Sequence, residues 1–219
     1  MIVTKFNLYQ FYTEGYLLGI TPRHIYDKAH AIIKDTAWND GYPQAADWFV
    51  LPNVVNGDNN AEYNFTEVLR ERYTYDSAPL AVKYLAEEFI RDPFFDVLRN
   101  SLVKQQHEHQ RYMRNLTPNG YGLWNGQEDL PWHCDNNTSS DFFVLMYFGD
   151  TESWNEQWQG QIQFGRERED GSIEQLCEHF PYDGTFAIVD ARNPLFRHRT
   201  FGCDPAHNRY ALSFRYRLI

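Results

Sequence analysis

Basic residues and cysteines are scarce in this chain, and long apolar runs are missing. Of its 219 residues 20 are Lys or Arg and 30 are Asp or Glu, a formal net charge of -10. A chain this acidic lacks the electrostatic attraction that dominates phosphate-backbone binding, so nucleic acid is disfavoured as a partner. No apolar stretch approaches the ~18 residues that a membrane span needs, which argues against a transmembrane helix. Residues 1–8 carry one lysine and no apolar core followed by small residues, so no secretory leader is visible and a cytoplasmic location is expected. The cysteines, Cys134, Cys177 and Cys203, are odd in number and unevenly spaced. That pattern fits neither a disulfide framework nor a paired zinc site, and free thiols are expected. Internal repeats and low-complexity segments are absent too.

What the sequence does have is apolar and aromatic material, 42% and 17% of residues, with 23% charged. These proportions describe a folded, soluble chain, and the length suits one domain over 1–219. In the first hundred residues the punctuation is helical. Thr21-Pro22 is a cap and first-turn pair, and Ile25, Ala29, Ile32 and Ile33 recur at helical spacing, which predicts a helix over 22–35. A short strand and a polar loop are expected over 47–60. Ser77 and Pro79 cap a second helix carrying Leu80, Tyr84, Leu85 and Phe89, and Asp92-Pro93 ends it and opens a third through Phe95, Leu98 and Leu102.

From about Gln110 the texture changes to short runs of strand formers separated by turn residues, with strands expected over 110–116, 121–125, 142–148, 161–164, 185–189 and 209–216. The expected class is therefore α+β, mainly β with packed helices: a jelly roll over 106–219, with a mainly helical supporting part over 1–105 on one outer face.

Pro131-Trp132-His133-Cys134-Asp135 holds an imidazole and a carboxylate two residues apart, and on extended chain both side chains lie on one face. An iron(II) site of the two-histidine, one-carboxylate kind needs one more imidazole and leaves three coordination positions open. Three histidines lie downstream, His179, His198 and His207. His198 is the best placed, after the apolar run 186–189 and a turn. His179 precedes a Pro-Tyr-Asp-Gly turn, which suggests a rim position, and His207 crowds Arg209. The last strand alternates so that Arg209, Ala211, Ser213 and Arg215 share one face and Tyr210, Leu212 and Phe214 the other. Two arginines on an inner face need an anion, and a dicarboxylate or an internal acidic residue would supply it.

His-x-Asp, a distal His and an Arg 11 residues further on resemble the iron(II)- and 2-oxoglutarate-dependent oxygenases, most closely the prolyl-hydroxylase-like branch. Arg209-Tyr210-Ala211-Leu212-Ser213 is similar to that branch's last strand. Gly160-Gln161-Ile162-Gln163-Phe164 resembles its Gly-Gly-x-Leu strand, with Gln161 in place of the second Gly. Pro181-Tyr182-Asp183-Gly184 resembles its Pro-x-x-Gly turn. The likeness covers roughly 120–218 and implies a double-stranded β-helix. It also implies that His133, Asp135 and His198 bind Fe(II), and that 2-oxoglutarate and O2 are co-substrates. Arg209 would anchor the distal carboxylate, with Tyr147 and Ser213 beside it; Arg215 matches a second co-substrate arginine of the DNA-repair demethylase branch. The implied reaction is hydroxylation of a C-H bond of an amino acid, peptidyl residue or small metabolite, with release of succinate and carbon dioxide. Asp135 separates the chain from halogenating relatives, where Gly or Ala replaces the carboxylate.

Two other readings exist. His107-Glu108-His109 offers the His-x-His pair of a cupin-type metal enzyme, but Met113 occupies the place of that site's Glu. A jelly-roll binding or structural module without catalysis is the other. For the substrate, Asp150, Glu152, Trp154, Glu156 and Trp158 form an acidic, Trp-bearing loop that would suit a cationic amino acid or basic peptide.

Overall fold

A computed structural model describes residues 8–34, 80–96, 116–124, 129–135, 141–149, 153–204, 206–207 and 209–218. Three α-helices, α1 (Leu8–Glu14), α2 (Arg23–Ile33) and α3 (Leu80–Arg91), appear among these residues, together with nine strands. The strands are β1 (Tyr16–Ile20), β2 (Leu116–Trp124), β3 (Leu130–His133), β4 (Phe142–Gly149), β5 (Ile162–Glu167), β6 (Ile173–His179), β7 (Thr185–Asp190), β8 (Phe196–Thr200) and β9 (Arg209–Leu218). They form two antiparallel sheets, ordered β1-β7-β4-β9-β2 and β3-β8-β5-β6. Strands β2 to β9 pass between the sheets in the order of a double-stranded β-helix, with β5 and β6 forming a hairpin within one sheet, and β1 extends the edge of the other. The expected strand over 47–58, the helix through Leu98 and Leu102, and His107 to His109 lie outside the described residues, as do 110–115.

Alternation along β4, β7 and β9 sorts side chains into two cores. One face carries Phe142, Val144, Met146, Phe148, Phe186, Ile188, Tyr210, Leu212, Phe214 and Tyr216, and the helices cover it with Ile25, Ala29, Ile33, Val82, Leu85, Ala86 and Phe89. The apolar residues of α2 and α3 recur at three and four positions, so each helix presents one stripe to this sheet. The helices thus pack on one outer face. The opposite face looks into the space between the sheets, where Tyr16, Phe143, Tyr147, Ile162, Phe164, Ala187, Val189 and Ala211 form the second core. Tyr16 stacks on Phe164 with ring centroids 4.4 Å apart. All three cysteines are free thiols. No helix among the described residues is long and apolar enough to cross a membrane.

Candidate metal centre and co-substrate pocket

The ligand set begins with a defect in a ladder. On β3, Leu130 pairs with Thr200 and His133 pairs with His198, so three steps along β3 oppose two along β8. This is a β-bulge, and it absorbs Pro131, which has no N–H to give a regular ladder. Without the extra residue His133 would face Arg197 and point away from the interior. With it, His133 sits opposite His198 on the inner face, ring centroids 4.1 Å apart. Asp135, two residues on, joins them, and one donor atom from each of His133, Asp135 and His198 lies within 4.8 Å of the others.

The donors are prepared for a cation. His133 Nδ1 lies 2.7 Å from the carbonyl of Pro131, which can only accept, so Nδ1 donates there and Nε2 is turned toward Asp135, 4.0 Å from its Oδ1. Burial, and then the neighbouring His133, hold His198 well below the ordinary imidazole range, so its ring is neutral at pH 7. Burial alone would raise the Asp135 carboxyl; Arg215 and the two imidazoles outweigh it and hold it at about 2. Two imidazoles and a carboxylate, with two donors oriented by partners outside the triad, fit a divalent transition metal with open positions. Arg215 contributes directly to this: its NH2 lies 3.2 Å from Asp135 Oδ2, and its guanidinium lies 5.3 Å from the Phe143 ring centroid.

Arg209 lies six residues back from Arg215 along the same face of β9. It is 4% exposed, and its NH1 donates to the carbonyl of Gly160. Its Nε has no hydrogen-bond partner among the described residues. Tyr147, paired with Ala211 across the β4–β9 ladder, places its ring 6.0 Å from the Arg209 guanidinium. Tyr147 is 1% exposed, its hydroxyl too lacks a partner among the described residues, and burial pushes that hydroxyl up to about 12. Buried polar groups are nearly always satisfied, so a guanidinium Nε and a phenol left open together mark a place prepared for an acceptor. The small side chains of Ala211 and Ser213, both buried, occupy the face between the two arginines. Gly160, at φ +81, makes the close approach possible: a Cβ there would lie 3.0 Å from Cys203 Cβ and 3.4 Å from Arg209 Cδ.

The other histidines are placed differently. The turn after His179 suggests a rim, but the structure buries most of this side chain, with its ring 5.8 Å from that of Tyr147 and its Nε2 3.1 Å from Thr185 Oγ1. Thr185 Oγ1 gives its own proton to the Tyr182 carbonyl at 2.6 Å, so Nε2 of His179 is the donor between them. Burial pushes His179 down to about 4. Sequence reasoning missed it because β6 alternates poorly. His207 stacks on Trp158 at 3.6 Å, away from the triad. In the acidic loop Trp154 is buried, its Nε1 donating to the Gln159 carbonyl, while Glu156 accepts from the Tyr182 hydroxyl at 2.5 Å. Asp150 and Glu152 lie outside the described residues.

No family model and no curated protein matches the sequence. Among solved structures, the chain is similar to the iron-bound HygX from Streptomyces hygroscopicus over 99% of its own length and 87% of the other's, with a TM-score of 0.51 and 11% identity. It is also similar to a prolyl-4-hydroxylase from Pseudomonas putida, over 96% of each chain with a TM-score of 0.45 and 11% identity. A 2OG-Fe(II) oxygenase family oxidoreductase from Burkholderia pseudomallei covers 95% of this chain and 87% of its own, with a TM-score of 0.46 and 12% identity. At such identities the likeness is one of fold. The chain has the double-stranded β-helix, and its structural neighbours include iron(II)- and 2-oxoglutarate-dependent oxygenases.

Proposed function

We propose that the protein is an iron(II)- and 2-oxoglutarate-dependent dioxygenase that hydroxylates a C-H bond of an amino acid, peptidyl residue or related small metabolite. The single observation that carries this reading is the pairing of two sites along one strand. A His133, Asp135, His198 donor set lies at the Arg215 end of β9, and two buried donors without partners among the described residues, Arg209 Nε and Tyr147 Oη, lie toward its other end. A metal-binding jelly roll without a co-substrate has no use for the second.

Iron, when bound, would supply the activation of dioxygen coupled to oxidative decarboxylation of 2-oxoglutarate to succinate and carbon dioxide. The chain's own residues do the rest. His133, Asp135 and His198 would hold the ion from one side and leave three positions free. Arg215 fixes the rotation of the Asp135 carboxylate through Oδ2 and leaves Oδ1 directed to the histidine side. Arg209 and Tyr147 would receive the far carboxylate of the co-substrate, Arg209 as a charged donor and Tyr147 as a neutral one. Ala211 and Ser213 keep the space between open. Ile162, Phe164 and Phe143 line the interior with apolar surface and keep water from it. Residues 1–105 would support the catalytic core of 106–219 within one domain.

The test is anaerobic addition of 2-oxoglutarate to the Fe(II)-loaded protein, which should give a visible charge-transfer absorption, followed by succinate formation on admitting air. Asp135→Ala should lose both while retaining a cooperative thermal transition. Absence of absorption and of succinate in the wild-type protein, or their persistence in Asp135→Ala, would overturn the proposal.

A further inference from the structure

Behind the triad, on the outer face of the β3-β8-β5-β6 sheet, a belt of side chains crosses all four strands. The Arg199 guanidinium lies 4.8 Å from the Trp132 ring centroid and 4.7 Å from that of Phe201, so it is held between two aromatic rings. Its Nε donates to Gln163 Oε1 at 2.7 Å, and Gln163 Nε2 donates in turn to Glu178. Gln163 is buried beneath these partners. The ladders place the members in one row, since Gln163 pairs with Arg199 on one side and with Glu178 on the other.

The belt's position relative to the ligands is what gives it a role. Trp132 immediately precedes His133, and Arg199 immediately follows His198. The two imidazoles face inward from a ladder that is weak at this point, because the bulge leaves only the Leu130 and His133 pairs between β3 and β8. Backbone bonding alone therefore fixes the His133 to His198 separation poorly. A guanidinium over an indole is favourable by about 0.5 to 2 kcal/mol, and here it ties the residues next to both ligands across the gap. The indole also lies across Gly165, where a Cβ would come within 3.1 Å of Trp132 Cη2.

We infer that Arg199 is a positioning residue for the metal centre, acting through Trp132 to hold β3 at the register that brings His133 against His198. This inference rests on the proposed metal site. Arg199 touches neither metal nor substrate. Its effect is on metal affinity, because two ligands held apart or loosely must be reordered when the ion binds.

The experiment uses the metal-free full chain titrated with Co(II), whose visible absorption reports both occupancy and coordination geometry, beside thermal unfolding of each metal-free variant. Arg199→Met and Trp132→Leu should each weaken Co(II) binding by at least about tenfold, the scale typical of residues that support metal ligands from behind. The double variant should be little worse than either. Arg199→Lys, which keeps the cation over the rings but loses the planar bond to Gln163, should recover most of the affinity. Arg197→Met is the matched control: Arg197 is on the same strand and face and is ion-paired with Glu167, but is not part of the belt. It should bind Co(II) as the wild type does even where its thermal transition falls equally. Wild-type affinity in Arg199→Met, or equal losses in Arg199→Met and Arg197→Met, would overturn the inference while leaving the metal site standing. Failure of the wild type itself to bind Co(II), or undiminished binding by His133→Ala, would instead remove the metal site.

Discussion

Replacing Arg209 by Gln separates the cost of building the pocket from its use. In the ligand-free protein Arg209 is buried, makes one bond to the Gly160 carbonyl, and has no ion pair with a carboxylate among the described residues. Truncation gives up that bond but also removes a desolvated charge and an open donor, and these effects oppose one another. The ligand-free variant should therefore unfold within about 1.5 kcal/mol of the wild type. Co-substrate binding has no such compensation. Losing a charge-assisted contact to a buried carboxylate costs about 2 to 5 kcal/mol. Taking ~2 kcal/mol as the floor and ~1.4 kcal/mol per decade, the dissociation constant for 2-oxoglutarate rises at least about thirtyfold. Calorimetric titration of the Mn(II)-loaded protein, which blocks turnover, would measure this directly, and Arg209→Lys should restore part of the loss. An unchanged constant in Arg209→Gln would refute the role of this arginine; if Arg215→Gln then lost the affinity instead, the anchor would be at the other end of β9.

Tyr147→Phe removes a buried hydroxyl that has no partner among the described residues, so thermal unfolding of the ligand-free protein should be unchanged or shift upward, while 2-oxoglutarate affinity falls by about tenfold, one neutral hydrogen bond's worth. A destabilised ligand-free variant would show that the hydroxyl is already satisfied. For His179, burial lowers the folded value to about 4 from an ordinary value near 6.5, so between these pH values the unfolded chain binds more protons than the folded one. Its contribution is fully present above about pH 6.5 and is lost as pH falls toward 4, amounting to at most about 3 kcal/mol. His179→Gln should flatten chemical-denaturation stability over that window, and an unchanged slope would count against the buried neutral imidazole.

How much could be seen in the sequence depended on how regular each strand is. In β9 the period-two pattern of 209–216 is unbroken, so the arginine face and the aromatic face were both visible. Likewise Ile25, Ala29 and Ile33 mark the buried stripe of α2. By contrast, β3 contains a proline and an extra residue, and no alternation rule shows that a bulge will turn His133 inward; only the His-x-Asp spacing hinted at it. Strand β1 sits between Gly15 and Thr21-Pro22, whose turn and cap signals hide five paired residues. Strand β6 ends a two-stranded hairpin whose side chains are mostly polar, so His179 looked like part of the following turn. The Arg215 to Asp135 contact was out of reach because it joins residues 80 positions apart (215 - 135) through a fold, with no local pattern to mark it.

The bulged edge of β3 has a consequence for how the chain opens. Strand β3 ends one sheet among the described strands, and edge elements with interrupted ladders are where local unfolding begins at least cost. A divalent ion held by His133, Asp135 and His198 would act there as a reversible cross-link, closing a loop of some 65 residues and removing the entropy that opening would release. Chelation would then do more than empty a site. It would free an unpaired strand edge, with its row of open N–H and C=O groups, while the helix-covered sheet stayed closed, and such an edge is a template for pairing with another chain.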